Sequence, residues 1–199
     1  AGTAEDPYQI ATKADLLALA ATTADYGKYF ILTADIDLDP NLPGGQVFTT
    51  AIIAADTNSI SGGFQGTAFT GTFDGDSHKI SNFTIAGGDY IGLFGYISSG
   101  GAVKNLGLED SAVSGSSDVG GLVGFNNGGS ISNCYSTGAV SGYRYVGGLA
   151  GYNYYGSISN CYSTGAVSGT QDVGGLAGAN SGSISNCYST GAVSGTENV

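Results

Sequence analysis

Tyrosine side chains recur at positions that could form a ligand-binding surface. Tyr135, Tyr162 and Tyr188 hold the same place in three near-identical segments, and Tyr143 and Tyr145 flank the single arginine of the sequence. A tyrosine ring offers an apolar face and a polar tip, so an outward-facing column of rings could stack on sugars or contact a protein. The same residues could instead form a stacked ladder that covers a sheet, and the sequence leaves both interpretations open.

Three aspartates near the start of the chain could contribute to a calcium site. Asp35, Asp37 and Asp39 alternate with Ile36 and Leu38, so the carboxylates would share one face of a strand and the apolar residues the other. Calcium takes about six to eight oxygen ligands, more than this segment alone can supply. The simpler interpretation is a solvated strand face. Calcium is the one cofactor left open, and no other is predicted.

The three cysteines occupy one position of the repeated segments. Cys134, Cys161 and Cys187 are odd in number, so at least one has no partner within the sequence. Stacked cysteines at such spacing are typical of small buried apolar groups, and a column of thiols does not give the tetrahedron that zinc prefers. Neighbouring coils of a solenoid lie close enough for one disulfide.

Residues expected of a catalytic site are scarce. His78 is the sole histidine and lies in a polar segment typical of a surface turn. Asp74 and Asp76 are separated by Gly75, a pattern that favours a tight turn over a pair of catalytic carboxylates. Polysaccharide-cleaving enzymes need paired carboxylates or a positioned base on an open face. We therefore predict no catalytic residues.

Composition excludes several classes of protein. The chain of 199 residues carries 16 acidic and 5 basic side chains, a net charge of −11, which argues against nucleic-acid binding. The 41% apolar content is too high for a disordered chain. The sequence contains no apolar run of the ~18 residues that a membrane-spanning helix needs, so no membrane span is predicted.

Internal repeats determine the predicted fold. Three near-copies begin at Val119, Val146 and Val173, 27 residues apart, and two degenerate copies precede them. Dense glycine and serine exclude long helices, which leaves short strands separated by turns. Such a unit is one coil of a solenoid. We predict an all-β chain that forms a right-handed parallel β-helix of about 26–27 residues per coil.

Side chains at equivalent repeat positions should stack in columns. We expect four apolar columns in the core, and the residues that retain apolar character in the degenerate copies identify them. The predicted columns are Phe83, Leu106, Cys134, Cys161 and Cys187; Ile80, Val103, Ile131, Ile158 and Ile184; Leu93, Leu122, Leu149 and Leu176; and Val113, Val140, Val167 and Val193.

An asparagine separates the first two columns in every copy. Asparagine tolerates left-handed backbone angles, and its amide can bond to the copies above and below. We predict a structural asparagine ladder at a turn, formed by Asn82, Asn105, Asn133, Asn160 and Asn186.

The first 60 residues lack the repeat and are predicted to cap the solenoid. Thr12 could N-cap an amphipathic helix from Lys13 to about Ala24, followed by strands at 29–32 and 36–38. A helix over the first coil would cover an open sheet edge. We predict a cap over 1–60 and repeats over 61–199, and we expect further repeats or another domain beyond the C-terminal end.

The repeated Val-Gly-Gly-Leu-Val/Ala-Gly, followed by Gly-Ser-Ile-Ser-Asn-Cys-Tyr-Ser-Thr-Gly, resembles the GLUG-motif repeats. The resemblance implies a scaffold found in large secreted or surface-attached bacterial proteins, including adhesin-like proteins and immunoglobulin-A-cleaving metallopeptidases. In the peptidase members the zinc-binding His-Glu-x-x-His lies in a separate domain. This chain has one histidine and so cannot contain that motif.

These observations favour an extracellular or cell-surface, non-catalytic module that acts in adhesion or as a stalk. Its partner would be a surface glycan or a protein. One alternative is a carbohydrate-active β-helix enzyme or a carbohydrate-binding module. A second alternative is ice binding on a flat face. The polar columns of that face would be Thr137, Thr164 and Thr190 with Ser132, Ser159 and Ser185. The bulky tyrosine column nearby would disrupt such a face.

Overall fold

Short runs of β-branched and aromatic residues alternate with Gly, Ser and Asn, so each strand is brief and each turn tight. The computed structural model describes residues 2–58 and 62–199, in which successive coils lie on one another through parallel strand pairing. Equivalent residues face each other across neighbouring coils, as in the pairs Ile131–Ile158 and Val140–Val167. The predicted parallel β-helix is confirmed.

The described elements are one α-helix, one short 3₁₀ helix and 25 strands. Helix α1 spans Lys13–Ala21 and the 3₁₀ helix Thr23–Asp25. Strands β1 to β25 are, in chain order, Tyr8–Ile10, Tyr29–Leu32, Ile36–Asp37, Thr72–Asp74, Lys79–Ser81, Thr84–Ala86, Phe94–Ser98, Ala102–Lys104, Gly107–Glu109, Ala112–Ser114, Ser117–Gly120, Val123–Asn127, Ser130–Ser132, Tyr135–Ser136, Ala139–Ser141, Arg144–Gly147, Ala150–Tyr154, Ser157–Ser159, Tyr162–Ser163, Val167–Ser168, Gln171–Gly174, Ala177–Asn180, Ser183–Ser185, Tyr188–Ser189 and Val193–Ser194.

The strands form five parallel sheets that run along the solenoid. In spatial order they are β1-β2-β4-β8-β13-β18-β23, β3-β5-β9-β14-β19-β24, β6-β10-β15-β20-β25, β11-β16-β21 and β7-β12-β17-β22. A full repeat of the C-terminal half therefore contributes one strand to each sheet. Among the described residues, no helix is long and apolar enough to cross a membrane.

The core consists of the inward-facing apolar columns. Val103, Ile131 and Ile158 are almost completely buried and pair in register, and Val113, Val140 and Val167 do the same. Their counterparts in the last described coil, Ile184 and Val193, are 38% and 36% exposed because no described coil covers them. The predicted columns are thus confirmed within residues 91–199.

The predicted register of the preceding coil is wrong. Phe73, not Ile80, pairs with Val103, and Ile80 pairs with Leu108 in the next sheet. Phe83 accepts a hydrogen bond from the Ala112 N–H and lies one corner beyond the column that contains Cys134. Residues 79–85 resemble the segment around Asn105 because two corners of the coil require similar left-handed backbone angles, and both favour asparagine.

Helix α1 begins as the sequence predicts. The Thr12 side chain accepts a hydrogen bond from the Asp15 N–H, and Asp15 in turn accepts one from the Thr12 N–H, a complete capping box. The helix ends at Ala21, three residues before the predicted end, where the 3₁₀ helix takes over. Leu16 and Leu19 are buried in the core cluster. The boundary predicted between residues 60 and 61 lies outside the described residues, and the division into two parts stays a prediction.

Two glycines per repeat allow backbones and small side chains to approach closely. A Cβ on Gly121 would lie 2.5 Å from Ser136 Oγ and 2.6 Å from the Gly148 carbonyl oxygen, closer than real Cβ contacts. Ser136 is fully buried, so neither its hydroxyl nor the backbone has room to move. The repeated Val-Gly-Gly therefore reflects packing between neighbouring coils.

We predict that Gly121→Ala lowers the free energy of unfolding by about 1–3 kcal/mol, because the added methyl overpacks the core. Gly27→Ala is the matched control, since its Cβ would meet only Thr70 Oγ1, at 3.4 Å, and should change stability by less than about 0.5 kcal/mol. Urea unfolding followed by circular dichroism measures both. Equal stability of the two variants would contradict the packing argument.

Candidate functional site

An asparagine ladder runs along one outer corner, as the sequence predicts. Asn133 Nδ2 donates to Asn105 Oδ1 at 3.0 Å, and Asn186 Nδ2 donates to Asn160 Oδ1 at 3.3 Å. All four residues have a φ of +53°, in the left-handed region. The ladder holds a turn in a conformation that most residues avoid, and its role is structural.

Asn82 does not belong to this ladder, which corrects the prediction. Asn105 Nδ2 instead donates to Asp74 Oδ1 at 2.9 Å, and Asn82 Nδ2 donates to Asp37 Oδ1 at 3.0 Å at the second corner. Burial opposes the ionisation of Asp74, but hydrogen bonds from Asn105, the Asp76 N–H and Lys104 hold its pKa below its ordinary value. At both corners, therefore, an asparagine amide donates a hydrogen bond to a carboxylate of the preceding coil.

A second asparagine ladder lies inside the core and was missed by the sequence analysis. Asn126 Nδ2 donates to Asn153 Oδ1 at 2.8 Å, and Asn153 Nδ2 donates to Asn180 Oδ1 at 2.7 Å. Asn126 and Asn153 are fully buried, and each also donates to the carbonyl of a nearby glycine. The signal was an asparagine four residues after the leucine of each repeated Gly-Leu, in Phe-Asn-Asn, Tyr-Asn-Tyr and Ala-Asn.

The tyrosine column of the repeats is a parallel stack. The ring centroids of Tyr135 and Tyr162 lie 5.0 Å apart with planes 3° from parallel, and those of Tyr162 and Tyr188 lie 5.1 Å apart at 5°. Neighbouring rings cover each other's faces, so the stack presents mainly edges and hydroxyls to solvent. This geometry favours the structural interpretation of the column over stacking on sugars.

Tyr135 is also anchored through its hydroxyl. Its Oη donates to Glu109 Oε1 at 2.8 Å, and Glu109 Oε2 accepts from Lys79 Nζ at 2.7 Å. Burial, together with the hydrogen bond and negative charge of Glu109, raises the pKa of Tyr135 to about 12. The start of the stack is thereby fixed to the preceding coils.

The stack also interrupts the face expected for ice binding. Tyr135 lies between Ser132 and Thr137 along the chain, and the same order recurs in the next two coils. Ser132 ends a strand of one sheet, whereas Thr137 follows a strand of the next and its Oγ1 accepts the Asp110 N–H at 3.4 Å. The serine and threonine columns therefore do not share a flat surface.

Tyr143 and Tyr145 lie on a different side of the solenoid from the stack. Tyr143 is 53% exposed in the turn before β16. Tyr145 lies in β16 with a φ of +52°, its ring centroid 5.2 Å from that of Tyr152. The guanidinium carbon of Arg144 lies 4.1 Å from the Tyr145 ring centroid, a cation–π contact. The five tyrosines proposed for ligand binding thus divide between two faces.

Tyr145 belongs to an aromatic strip on the outer face of β7, β12 and β17. Its rings contact one another in succession: Tyr96 and Phe125 lie 5.1 Å apart and Phe125 and Tyr152 5.2 Å apart. Most of these rings are half-buried, and Tyr155 is 71% exposed. The aromatic strip comprises Phe64, Tyr90, Tyr96, Phe125, Tyr145, Tyr152, Tyr154 and Tyr155.

Tyr96 and Phe125 were not predicted to belong to this surface. The strands Phe-Gly-Tyr-Ile-Ser, Val-Gly-Phe-Asn-Asn and Ala-Gly-Tyr-Asn-Tyr place their third residue in register, as the pairs Phe125–Tyr96 and Phe125–Tyr152 show. Alternation along these strands was the available signal, because the residues on either side of the aromatic one are buried.

A buried carboxyl lies beside the strip. Asp118 is 8% exposed, has a φ of +55° and accepts a hydrogen bond from Ser117 Oγ at 2.9 Å through Oδ2. Its Oδ1 has no hydrogen-bond partner. Val119, the residue after Asp118, pairs with Ile91 in one adjacent coil and with Val146 in the other. Tyr90 and Tyr145 precede those two residues and therefore hold the corner position of Asp118 in the adjacent coils. Burial raises the pKa of Asp118 to about 6.

The aspartates considered for calcium are engaged separately. Asp35 Oδ1 lies 3.0 Å from His78 Nδ1, Asp37 accepts from Asn82, and Asp39 Oδ1 accepts from the Asn41 N–H at 2.8 Å. Within residues 2–58 and 62–199, no group of three or more His, Cys, Asp or Glu side chains is arranged to hold a metal ion. The structure therefore gives the calcium interpretation no support.

The cysteines lie above one another as free thiols. The Cys134 N–H donates to Cys161 Sγ at 3.4 Å, and the Cys161 N–H donates to Cys187 Sγ at 3.3 Å. Cys134 and Cys161 are buried and Cys187 is partly exposed. Their Sγ atoms donate to carbonyl oxygens of the same coil, as from Cys134 to Ser132 at 3.2 Å. Each cysteine follows an asparagine of the outer ladder, and the three side chains pack into the core without forming a disulfide.

Comparison with known proteins confirms the GLUG resemblance. The family described as the GLUG motif matches residues 115–141, 142–168 and 169–194, one match for each well-formed coil. The C-terminal part of the chain therefore consists of three GLUG repeats. The second and third matches begin at Gly142 and Gly169, where the chain turns towards the aromatic strip.

The chain also resembles long proteins and one solved structure. It is 37% identical over 143 residues to halomucin of Haloquadratum walsbyi, matching 69% of this chain, and 34% identical over 140 residues to a candidate Gly-rich membrane protein of Evansella cellulosilytica, matching 66%. These matches span 2% and 14% of the relatives' lengths. The crystal structure of a candidate immunoglobulin A1 protease from Bacteroides ovatus superposes with a TM-score of 0.68 at 30% identity, covering 98% of this chain and 60% of that one.

We predict that the inner ladder contributes more to stability than the outer one. Asn153→Ala removes the hydrogen bonds that join Asn153 to Asn126 and to Asn180. It leaves one N–H of the buried Asn126 amide without a partner and should lower the free energy of unfolding by about 2–4 kcal/mol. Asn160→Gly in the same coil keeps the left-handed turn and removes an exposed amide, so it should cost at most about 1 kcal/mol. Urea unfolding compares them, and a larger loss for Asn160→Gly would contradict the assignment.

Asp118 should make stability depend on pH in a defined direction. Its pKa is about 6 in the folded chain, compared with an ordinary value of 3.8 that applies to the unfolded chain. The folded state therefore binds the proton more tightly. The resulting stabilisation is complete below about pH 4 and is lost as the pH rises to about 6. Asp118→Asn removes this dependence and should exceed the parent in stability at pH 7.5 by roughly 1–3 kcal/mol.

Urea unfolding of the parent and of Asp118→Asn from pH 4 to pH 8 measures this difference. Asp172→Asn, at the same corner two coils further on, is the control: Asp172 accepts from Asn198 Nδ2 and lies 3.7 Å from Arg144 Nε, so its replacement should not raise stability at pH 7.5. Parallel profiles for the parent and Asp118→Asn would show that Asp118 titrates normally.

Proposed function

We propose that the chain is an extracellular, non-catalytic β-helix module that joins a stalk function to adhesion through the aromatic strip. The observation that carries the proposal is the continuous run of rings along β7, β12 and β17, on the outside of a rigid solenoid. The GLUG repeats and the names halomucin and Gly-rich membrane protein support placement at a cell surface.

The stalk role follows from how the coils are joined. Every repeat binds the next through parallel backbone pairing in several sheets and through the inner asparagine ladder, and the outer ladder adds bonds between Asn105 and Asn133 and between Asn160 and Asn186. A solenoid of this kind adds length by adding coils, each of which contacts only its neighbours. The chain corresponds to a small part of its much longer relatives, as expected for a segment of an extended scaffold.

The adhesive role follows from the rigidity and accessibility of the strip. Half-buried rings are held by their neighbours and lose little conformational freedom on binding, whereas Tyr155 is mostly exposed. Aromatic faces of this kind fit the apolar faces of sugars and the side chains of a protein partner. With a net charge of −11, the module favours neutral or cationic partners over anionic polymers.

The absence of catalysis is part of the proposal. The carboxylates with lowered pKa values, among them Asp35, Asp37, Asp74 and Glu109, are held by hydrogen bonds to neighbouring amides, hydroxyls or cations. Groups held in this way are poor general acids, because they stay ionised near neutral pH. The protease activity named for the structural relative from Bacteroides ovatus is therefore not proposed for this chain.

Binding to an array of surface polysaccharides and to bacterial and host cell surfaces tests the proposal. The triple variant Tyr152→Ala, Tyr154→Ala and Tyr155→Ala should bind about tenfold more weakly or worse, since each ring contributes roughly 0.5–1.5 kcal/mol. Tyr188→Ala is the matched control, because Tyr188 is 55% exposed but belongs to the stacked column. Circular dichroism confirms that both variants fold.

Equal binding by the parent and the triple variant would remove the adhesive role of the strip. Binding of the parent to no surface would leave the stalk role alone. Release of reducing ends or peptides from any substrate by the purified chain would contradict the non-catalytic assignment.

A further inference from the structure

We propose that one end of the aromatic strip binds an organic cation, a ligand that carries a substituted ammonium group. This end, the cation corner, comprises the rings of Phe64, Tyr90, Tyr96 and Phe125 with the carboxyl of Asp118. The inference rests on the proposed binding role of the strip and adds the chemical class of the ligand.

The cation corner consists of a short stack of three rings, with Tyr96 and Phe125 10° from parallel, and of Tyr90, which stands at a steep angle to that stack. Phe64 and Tyr96 are stacked, with centroids 4.4 Å apart and planes 26° from parallel. Tyr90 meets Phe64 at 80° and Phe125 at 65°, with centroids 5.6 and 6.0 Å apart. All four rings are partly exposed. The partly exposed Tyr90 ring meets the stack at a steep angle, so a compact cation at this junction can contact the Tyr90 face and the exposed rim of the stack together.

The electrostatic environment of the corner is negative. Burial raises the pKa of the Tyr90 hydroxyl, and the nearby charges of Asp118, Asp56 and Asp89 raise it further. Asp56 is buried and accepts the Gln65 N–H at 2.7 Å, and Asp89 accepts the Ser117 N–H at 3.1 Å. Backbone amides bind these carboxylates without cancelling their charge, so the corner attracts a positive ligand.

Asp118 supplies the observation that points to a ligand rather than to an acidic surface alone. It is more than nine-tenths buried, and its Oδ1 has no hydrogen-bond partner. A buried carboxylate oxygen without a partner is costly, and a cation in the corner would offset that cost. The charge of Arg144 favours the ionised form of Asp118, but burial outweighs it, and the Arg144 Nε lies 3.7 Å from Asp172 Oδ2.

The strip already holds a cation one coil further on. The Arg144 guanidinium lies over the Tyr145 ring, at the same corner position that Tyr90 holds two coils earlier. In the described part of the chain no three acidic, histidine or cysteine side chains are close enough to hold a metal. A soft organic cation that spreads its contacts over rings fits the corner better than a metal ion does.

Titration with choline chloride, followed by nuclear magnetic resonance of the full chain at pH 7.5, tests the proposal. Its uncharged isostere 3,3-dimethyl-1-butanol is the matched ligand. We expect choline to shift the resonances of Tyr90, Tyr96 and Phe125 and to bind about tenfold more tightly than the isostere, because both have the same shape and only choline is charged.

Two carboxyl variants locate the charge that is responsible. Asp118→Asn should weaken choline binding about tenfold and leave the isostere unaffected, whereas Asp172→Asn should change neither. Asp118→Asn removes a buried charge whose Oδ1 has no hydrogen-bond partner, so loss of folding is not expected, and thermal unfolding checks this. Lowering the pH to 5 should weaken choline binding to the parent, since Asp118 then gains a proton. The other charged groups on this side of the solenoid are Asp56, Asp89, Asp172 and Arg144.

The proposal is overturned if choline and the isostere bind alike, if choline gives no shift at 100 times the protein concentration, or if Asp118→Asn binds choline as the parent does. Its failure is distinguishable from failure of the adhesive role. Loss of surface binding in the tyrosine triple variant, without choline binding to the parent, would support adhesion and reject the cation. Choline binding without any surface binding would do the reverse.

Discussion

In-register pairing of successive coils is the constraint on which the rest of the structure depends. Once Ile131 lies over Val103 and under Ile158, every other residue of the repeat is also placed over its copy. Polar side chains must then be satisfied by identical side chains above and below. An asparagine amide can do this because it contains both a donor and an acceptor, and this explains an asparagine ladder at the corner and another in the core.

The same constraint arranges the outer surface. Residues in the third position of β7, β12 and β17 emerge in one line, so aromatic residues there become a strip without any loop to position them. The tyrosine stack arises in the same way, but its rings lie parallel and cover one another. The tyrosine stack is parallel throughout, whereas the strip also contains steeply tilted contacts, such as Phe125 with Tyr152 at 65°, and the strongly exposed Tyr155.

Much of the fold was predictable because the repeats are nearly identical. The spacing of 27 residues gave the coil, Thr12 gave the start of the helix, and the apolar columns of residues 91–199 were assigned correctly. The coil that contains Asn82 was placed in the wrong register, because two corners require left-handed residues and the local sequence does not distinguish them. The aromatic strip was missed since its residues differ between copies, and only the three-dimensional register brings Tyr96, Phe125 and Tyr152 together. The inner ladder was missed although its asparagine recurs in all three copies, because asparagine beside glycine is equally typical of a polar loop.

Hydrogen exchange of asparagine side-chain amides, measured by nuclear magnetic resonance, tests the in-register stacking most directly. If the coils lie as described, the Asn126 and Asn153 side-chain protons are sealed in the core and exchange as slowly as the most protected backbone amides. The exposed Asn160 amide should exchange far faster. Similar fast exchange for Asn153 and Asn160 would mean that the copies are not stacked over one another, and the ladders, the columns and the strip would all be misassigned.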